Sequence, residues 1–218
     1  MSCAICHVRK GKRFCPAGHD RICPQCCGEQ RELTLDCPSD CVYLQQARRR
    51  EAPPSLDELP PERTFRSVAV PEEFLHDHEP LLLGFWHTLA KRYATEHSVT
   101  DREVLGALAN MARSYQTLVG SGLVYQEAVP GLAQQAIIES LHQLVREFRE
   151  VEQKHLGYVR LKDAEVLKAL VFTIRMGLMR TSGRPFSRRF LDFLNEQFHD
   201  AELALAKPDD PAGRIIMP

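Results

Sequence analysis

The first 41 residues read MSCAICHVRKGKRFCPAGHDRICPQCCGEQRELTLDCPSDC and contain all eight cysteines of the 218-residue chain. Closely spaced cysteine pairs are typical of metal sites in a reducing compartment and of disulfides in secreted domains. The sequence opens on Met1-Ser2-Cys3 and has no apolar signal-peptide core. We therefore expect a cytoplasmic protein whose cysteines bind metal.

Four candidate ligand pairs follow one another along this stretch. They are Cys3/Cys6, Cys15/His19, Cys23 with Cys26 or Cys27, and Cys37/Cys41. Zinc takes four nitrogen or sulfur ligands in a tetrahedron, and a gap of two to four residues lets one turn supply two of them. The spacing predicts two zinc ions, which would supply the folding free energy that so small a module lacks.

The pairing of these ligands is left open by the spacing. An interleaved cross-brace would place Cys3, Cys6, Cys23 and either Cys26 or Cys27 on one ion, and Cys15, His19, Cys37 and Cys41 on the other. A sequential arrangement is the alternative. Either way one cysteine of the Cys26-Cys27 pair is surplus, and both sites are closed. Catalytic zinc keeps an open position, so we expect structural zinc and no enzyme activity.

The run resembles the treble-clef zinc fingers of the HIT and MYND type over about 45 residues. The resemblance rests on Cys3-x2-Cys6, Cys23-x3-Cys27 and Cys37-x3-Cys41, whereas Gly18 stands where that family has a cysteine. The run from Cys26 to Arg31, with that from Cys37 to Leu44, is similar to bacterial proteins that carry an N-terminal finger. The resemblance implies cross-brace zinc binding and protein–protein contact inside assemblies.

Local patterns predict the rest of the finger. Arg13-Phe14 and Arg21-Ile22 flank the second ligand pair and predict a short hairpin. The alternation of polar and apolar residues over Glu32–Asp36 predicts a half-buried strand.

The chain divides into four predicted segments. A finger at 1–50 precedes a Pro-rich acidic linker at 51–78. Because the linker holds Pro53-Pro54 and Pro60-Pro61, we expect it to be extended and semi-rigid. The alternative is that this acidic segment folds back on the basic finger. A helical bundle at 79–205 and a flexible tail at 206–218 complete the chain. The predicted fold class is mostly α, with a small double-zinc cross-brace finger followed by an all-α bundle of about five helices.

Helical periodicity and end signals define those five helices. They begin near Pro80, at the capping box Thr100-x2-Glu103, after Pro130-Gly131, near Asp163 and after Ser187. The fourth is apolar almost all round and is therefore predicted to be central. Glu165, Lys168 and Arg175 interrupt it, so we expect no membrane span.

The net charge of the chain favours protein partners over nucleic acid. The chain has 28 Lys and Arg against 29 Asp and Glu, and thiolates bound to zinc would cancel most of the positive charge of the finger. We therefore expect a non-catalytic adaptor whose finger binds one protein partner and whose helical body either binds another or dimerises. A nucleic-acid-binding regulator is the alternative, using the finger and the arginines between Arg175 and Arg189. Ser187 with Arg188 would then hold an anion at a helix N-terminus, although solvated loop charge is the commoner explanation.

A third alternative is a metal-dependent enzyme in the helical body. Glu-x-x-His, a motif of di-iron helical bundles, occurs at Glu73/His76, Glu139/His142, Glu152/His155 and Glu196/His199. Helical-wheel positions put Glu139, Glu196 and His199 away from the apolar stripes, and Glu73/His76 precede the helix that starts at Pro80. Only Glu152/His155 continue an inward stripe, near a helix end, so solvated side chains are favoured.

Overall fold

The finger contains a two-stranded hairpin and two short helices. A computed structural model describes residues 1–124, 128 and 131–205, with side chains described up to residue 198. Strands β1 (Arg13–Cys15) and β2 (Asp20–Ile22) pair antiparallel, with Cys15 opposite Asp20. Helices α1 (Pro24–Gln30) and α2 (Val42–Arg48) follow. The predicted hairpin is confirmed.

The predicted strand over Glu32–Asp36 is wrong. Glu32 has a left-handed backbone (φ 54°) and is 2% exposed. Its carboxylate accepts hydrogen bonds from Arg48 (2.8 Å) and Ser182 (2.9 Å), and its carbonyl accepts one from the Phe186 N–H (2.9 Å). These contacts hold the segment as a turn against the helical body. They outweigh the preference of the alternating sequence for a strand.

The segment 51–78 is folded on the body and differs from the extended spacer that its prolines predict. It forms a 3-10 turn (Leu56–Glu58), α3 (Pro61–Thr64) and α4 (Glu72–Asp77). Phe65 and Phe74 enter the main core with 6% and 5% exposure. The Arg175 guanidinium donates to the carbonyls of Thr64, Phe65 and Val68 at 2.8–2.9 Å. Pro61 is the first residue of α3 and Pro71 is the N-cap of α4, so these prolines start short helices instead of holding an extended chain.

Five long helices make up the body: α5 (Glu79–Thr95), α6 (Asp101–Ser121), α7 (Leu132–Leu156), α8 (Asp163–Arg180) and α9 (Arg189–Leu205). Thr100 and Glu103 form the predicted capping box at the start of α6, and Gly122 (φ 71°) ends that helix in the left-handed region. In the described ranges the chain has nine α-helices: these five, and four short ones that form before residue 79. The mostly helical class with a small N-terminal sheet is confirmed.

The core lies where α8 crosses the other helices. Helix α6 packs along α8 and α7, and α5 packs along α9 and α7. Val166, Leu170, Val171 and Ile174 of α8 are at most 1% exposed, as the all-round apolar pattern predicts. No helix in the described part of the chain is long and apolar enough to cross a membrane. The predicted tail at 206–218 lies outside the described residues.

The finger is fastened to the body through a buried ion network. The Arg48 guanidinium lies between the carboxylates of Glu32 (2.8 Å) and Asp192 (2.6 Å). Asp192 also accepts hydrogen bonds from the hydroxyls of Ser39 (2.7 Å) and Tyr93 (2.8 Å). Glu32, Ser39 and Arg48 belong to the finger, so α9 and the finger share one polar network.

Candidate metal centre

Four cysteine sulfurs converge in the finger. Cys3 and Cys6 lie in the N-terminal loop, in which the Cys3 carbonyl accepts a hydrogen bond from the His7 N–H (2.8 Å). Cys23 is the N-cap of α1 and Cys26 lies in its first turn. Pro24, at the first helical position, fixes the start of the helix beside its own ligand residue. A loop and a helix start thus meet, as the cross-brace predicts for the first and third pairs.

The spacing of these sulfurs suits a tetrahedral metal. All four lie within 4.8 Å of one another, and Cys3, Cys23 and Cys26 are buried. Ligands about 2.3 Å from a zinc ion in a tetrahedron are about 3.8 Å apart, so a small contraction would complete the site. Four thiolates at this spacing fit zinc, and they form a group that could hold a metal ion.

Hydrogen bonds and one positive charge stabilise thiolates here. The Cys23 N–H donates to the Cys3 sulfur (3.1 Å), the Cys26 N–H donates to the Cys23 sulfur (3.4 Å), and Arg9 donates to the same sulfur (3.7 Å). Burial alone raises the pKa of Cys3, but the N–H groups of Cys6, Cys23 and Ile5 lower that pKa to about 6. The hydrogen bond from the Cys26 N–H lowers the pKa of Cys23, and Arg9 lowers it further.

The pKa of Cys26 is shifted in the opposite direction. Its thiol hydrogen-bonds to Cys23, which together with burial raises the pKa of Cys26 to about 12. The site thus combines two thiols that ionise readily, Cys3 and Cys23, with one that keeps its proton, Cys26. A metal must displace that proton, so binding releases protons and strengthens with pH.

The other four cysteines, Cys15, Cys27, Cys37 and Cys41, line a second space in the finger. They are among the residues that line a cavity of about 10 Å³. The first three are buried, and Arg13 donates to the Cys27 sulfur (3.4 Å). Burial raises the pKa of Cys37, and the charges of Cys15 and Cys41 raise it further. The cavity is about the size of one water molecule, although these sulfurs are farther apart than those of the Cys3 group.

His19, the remaining predicted ligand, is placed differently. It lies in the turn between β1 and β2, is exposed and has a left-handed backbone (φ 50°). It does not line the second cavity, whereas Cys27 does. The spacing alone gave no reason to prefer Cys27, because Cys26 and Cys27 are adjacent. On α1 they point about 100° apart, so each faces a different set of cysteines.

The arginines near the α8–α9 turn are engaged within the molecule and do not form the solvated loop charge that we expected. Their partners are backbone carbonyls for Arg175, Arg184 and Arg189, Asp36 and the His97 carbonyl for Arg188, and the Phe193 ring for Arg180. Three of these arginines hold the finger. Arg184 donates to the carbonyls of Gly28 and Arg31, Arg188 binds Asp36, and Arg189 donates to the Arg48 carbonyl.

The anion site predicted at Ser187 is filled by a carboxylate of the chain itself. Asp101 is fully buried and accepts hydrogen bonds from the Ser187 hydroxyl (2.7 Å) and from the N–H groups of Phe190 and Leu191 (both 3.2 Å). The N-terminus of α9 is thus capped by a residue at the start of α6. Sequence reasoning missed Asp101 because its partner lies 86 residues away.

Among the described side chains, the Glu-x-x-His pairs are not brought together into a metal site. Within the described side chains, the group of metal-ligating residues close enough to hold one ion is Cys3, Cys6, Cys23 and Cys26. Glu152 instead accepts hydrogen bonds from the N–H groups of Arg160 and Leu161 (2.9 and 2.8 Å). The side chain of His199 lies outside the described residues.

Comparison with known proteins adds no relative to this description. No family model, no curated protein and no solved structure matches the chain. The assignment of a function therefore rests on the cysteine clusters and the surfaces around them, which identify the finger as a candidate metal centre.

Proposed function

We propose that this chain is a zinc-dependent, non-catalytic adaptor whose finger is folded around two zinc ions. The observation that carries the proposal is the closed set of four converging cysteine sulfurs at Cys3, Cys6, Cys23 and Cys26. A metal held by four protein thiolates has no open position for substrate or water, so its role is to fold the finger. The first zinc takes this set.

The second zinc takes Cys15, Cys27, Cys37 and Cys41. Three observations support this set over the one with His19: the four residues line one ion-sized cavity, Arg13 faces the Cys27 sulfur, and His19 is exposed. The adjacent Cys26 and Cys27 then serve different ions, and no cysteine is surplus. Closing the cavity to zinc-bonding distance requires the sulfurs to contract around the ion.

Zinc content of matched variants tests the two sets. We expect purified, reduced protein to hold two zinc ions per chain, Cys27→Ser to hold about one, and His19→Ala to hold two. If His19→Ala loses one zinc and Cys27→Ser loses none, the fourth ligand of the second zinc is His19 and not Cys27. Zinc content that is unchanged in both Cys26→Ser and Cys27→Ser would overturn both sets.

Charge supports protein partners over nucleic acid. Residues 1–50 carry nine Lys and Arg against five Asp and Glu, and eight thiolates with two Zn²⁺ would lower that balance by about 4 to near zero. Arg48, Arg184 and Arg188 are also engaged inside the molecule. Exposed apolar side chains on the finger, Phe14 (55%) and Val42 (58%), offer contact area to a protein.

Two parallel assays test the adaptor. We expect no shift of DNA or RNA at low salt, and we expect partners captured from the native cell by the wild-type protein to be lost with Phe14→Ser/Val42→Ser. An exposed-site control, Leu123→Ser, lies on the body (66% exposed) and should retain them. Salt-dependent nucleic-acid binding would favour the regulator instead. Self-association through the body is part of the proposal and is tested by sedimentation of the same samples.

A further inference from the structure

The helical body contains a cavity far larger than the one lined by Cys15, Cys27, Cys37 and Cys41. It lies between α3, the first half of α6 and the C-terminal end of α8, and has a volume of about 520 Å³. That size is within the range of small-molecule pockets in proteins. Its walls are apolar and are formed by Phe65, Leu105, Ala109, Ile174 and Leu178.

The apolar walls of the cavity belong to the main core of the body. Phe65, Leu105, Ile174 and Leu178 are each 1–9% exposed although they line it. A glycine, Gly106, also lines the cavity, and a Cβ there would come within 2.8 Å of the Gln134 side chain. A larger residue at position 106 would therefore push Gln134, another lining residue, out of place. The apolar walls suit a short alkyl or aryl group.

The rim of the cavity is positively charged. Four arginines and one glutamate line it. Among the described residues, the guanidinium group of neither Arg63 nor Arg102 has a hydrogen bond or ion pair, and both residues are exposed. This differs from Arg175 and Arg188, whose guanidinium groups are bound by groups of the chain. Two unpaired guanidinium groups beside an apolar base form a site with complementary features for an amphipathic anion.

We propose that this cavity binds a small-molecule carboxylate that carries a short apolar group. The guanidinium groups of Arg63 and Arg102 bind the carboxylate, since their planar forks match its two oxygens. The apolar group enters between Leu105, Ile174 and Leu178. A ligand with only the carboxylate or only the apolar group should bind more weakly, because the charged rim and the apolar base each supply part of the affinity.

Calorimetric titration of the full-length, zinc-loaded chain tests the proposal with three probes. Octanoate carries both features, octan-1-ol lacks the charge and acetate lacks the apolar group. We expect saturable binding of octanoate at least 10-fold tighter than that of either other probe, and an approximately 10-fold loss of octanoate affinity for Arg102→Gln and for Arg63→Gln. Arg92→Gln, which removes an arginine paired with Glu96 on α5, is the matched control and should bind normally.

A cavity-filling variant gives an independent readout. Ala109→Phe should abolish octanoate binding, and its thermal unfolding shows whether the fold is intact. The proposal is overturned if octanoate gives no saturable heat, if octan-1-ol binds as tightly as octanoate, or if Arg63→Gln and Arg102→Gln both bind octanoate as the wild type does.

Discussion

Replacement of Arg48 by leucine should destabilise the protein by about 3 kcal/mol. The guanidinium of Arg48 is bonded to Glu32 at 2.8 Å and to Asp192 at 2.6 Å, and the side chains of Arg48 and Glu32 are only 14% and 3% exposed. Removing one partner of a buried ion pair costs about 3–5 kcal/mol, since the remaining charge loses its compensation. We take the lower value because both carboxylates keep hydroxyl donors, Ser182 for Glu32 and Ser39 for Asp192.

Urea unfolding of the reduced, zinc-loaded protein measures this effect, with Trp86, the one tryptophan of the chain, as the fluorescent probe. The control is Arg50→Leu, two residues along the same basic run and exposed, which should change the free energy of unfolding by less than about 0.5 kcal/mol. Equal effects of Arg48→Leu and Arg50→Leu would refute the argument that this network fastens the finger to the body.

Three further predictions concern the body. Asp101→Ala should lower the free energy of unfolding by about 3 kcal/mol in the same urea assay, because it leaves three buried donors without their acceptor. Gly177→Val should cost about 2 kcal/mol, since a Cβ there would lie 2.6 Å from the Leu105 side chain, whereas Gly120→Val, with no heavy atom within 4 Å, should cost less than half as much. Burial, together with the charge of Arg146, lowers the pKa of His142 below 6.5. Folding thus favours the neutral imidazole, and stability present above pH 6.5 is lost as the pH falls below it. The difference in unfolding free energy between wild type and His142→Phe, measured from pH 7.5 to 5.5, should shift in favour of the variant as the pH falls; a constant difference would contradict this.

The sequence was sufficient to predict what depends on local pattern. The five long helices begin close to the predicted signals, and the capping box at Thr100 is present because its two residues are only three positions apart. The hairpin at Arg13–Ile22 forms for the same reason. In the finger, ligand spacing predicts the cysteine pairs, because zinc chemistry restricts it to a few values. Spacing left the cross-brace and the sequential arrangement open, and the structure brings the first and third pairs together.

Long-range contacts could not be predicted in this way. The Glu32–Asp36 pattern suits a strand, but Glu32 meets Ser182, which is 150 residues away, and the backbone turns to reach it. The linker prolines suit an extended spacer, yet Phe65 and Phe74 pack into the core. The choice between Cys26 and Cys27 likewise depends on which residues surround each side of α1, and spacing carries no information about that.

The most direct test of the central claim is native mass spectrometry of the intact chain purified under reducing conditions. The account predicts a mass excess of two zinc ions, with all eight cysteines present as thiolates bound to metal. Removal of both ions by a chelator should abolish amide-exchange protection across residues 1–50. A chain without bound metal that keeps this protection, or a mass that shows cysteines joined in disulfides, would contradict the claim that metal folds the finger.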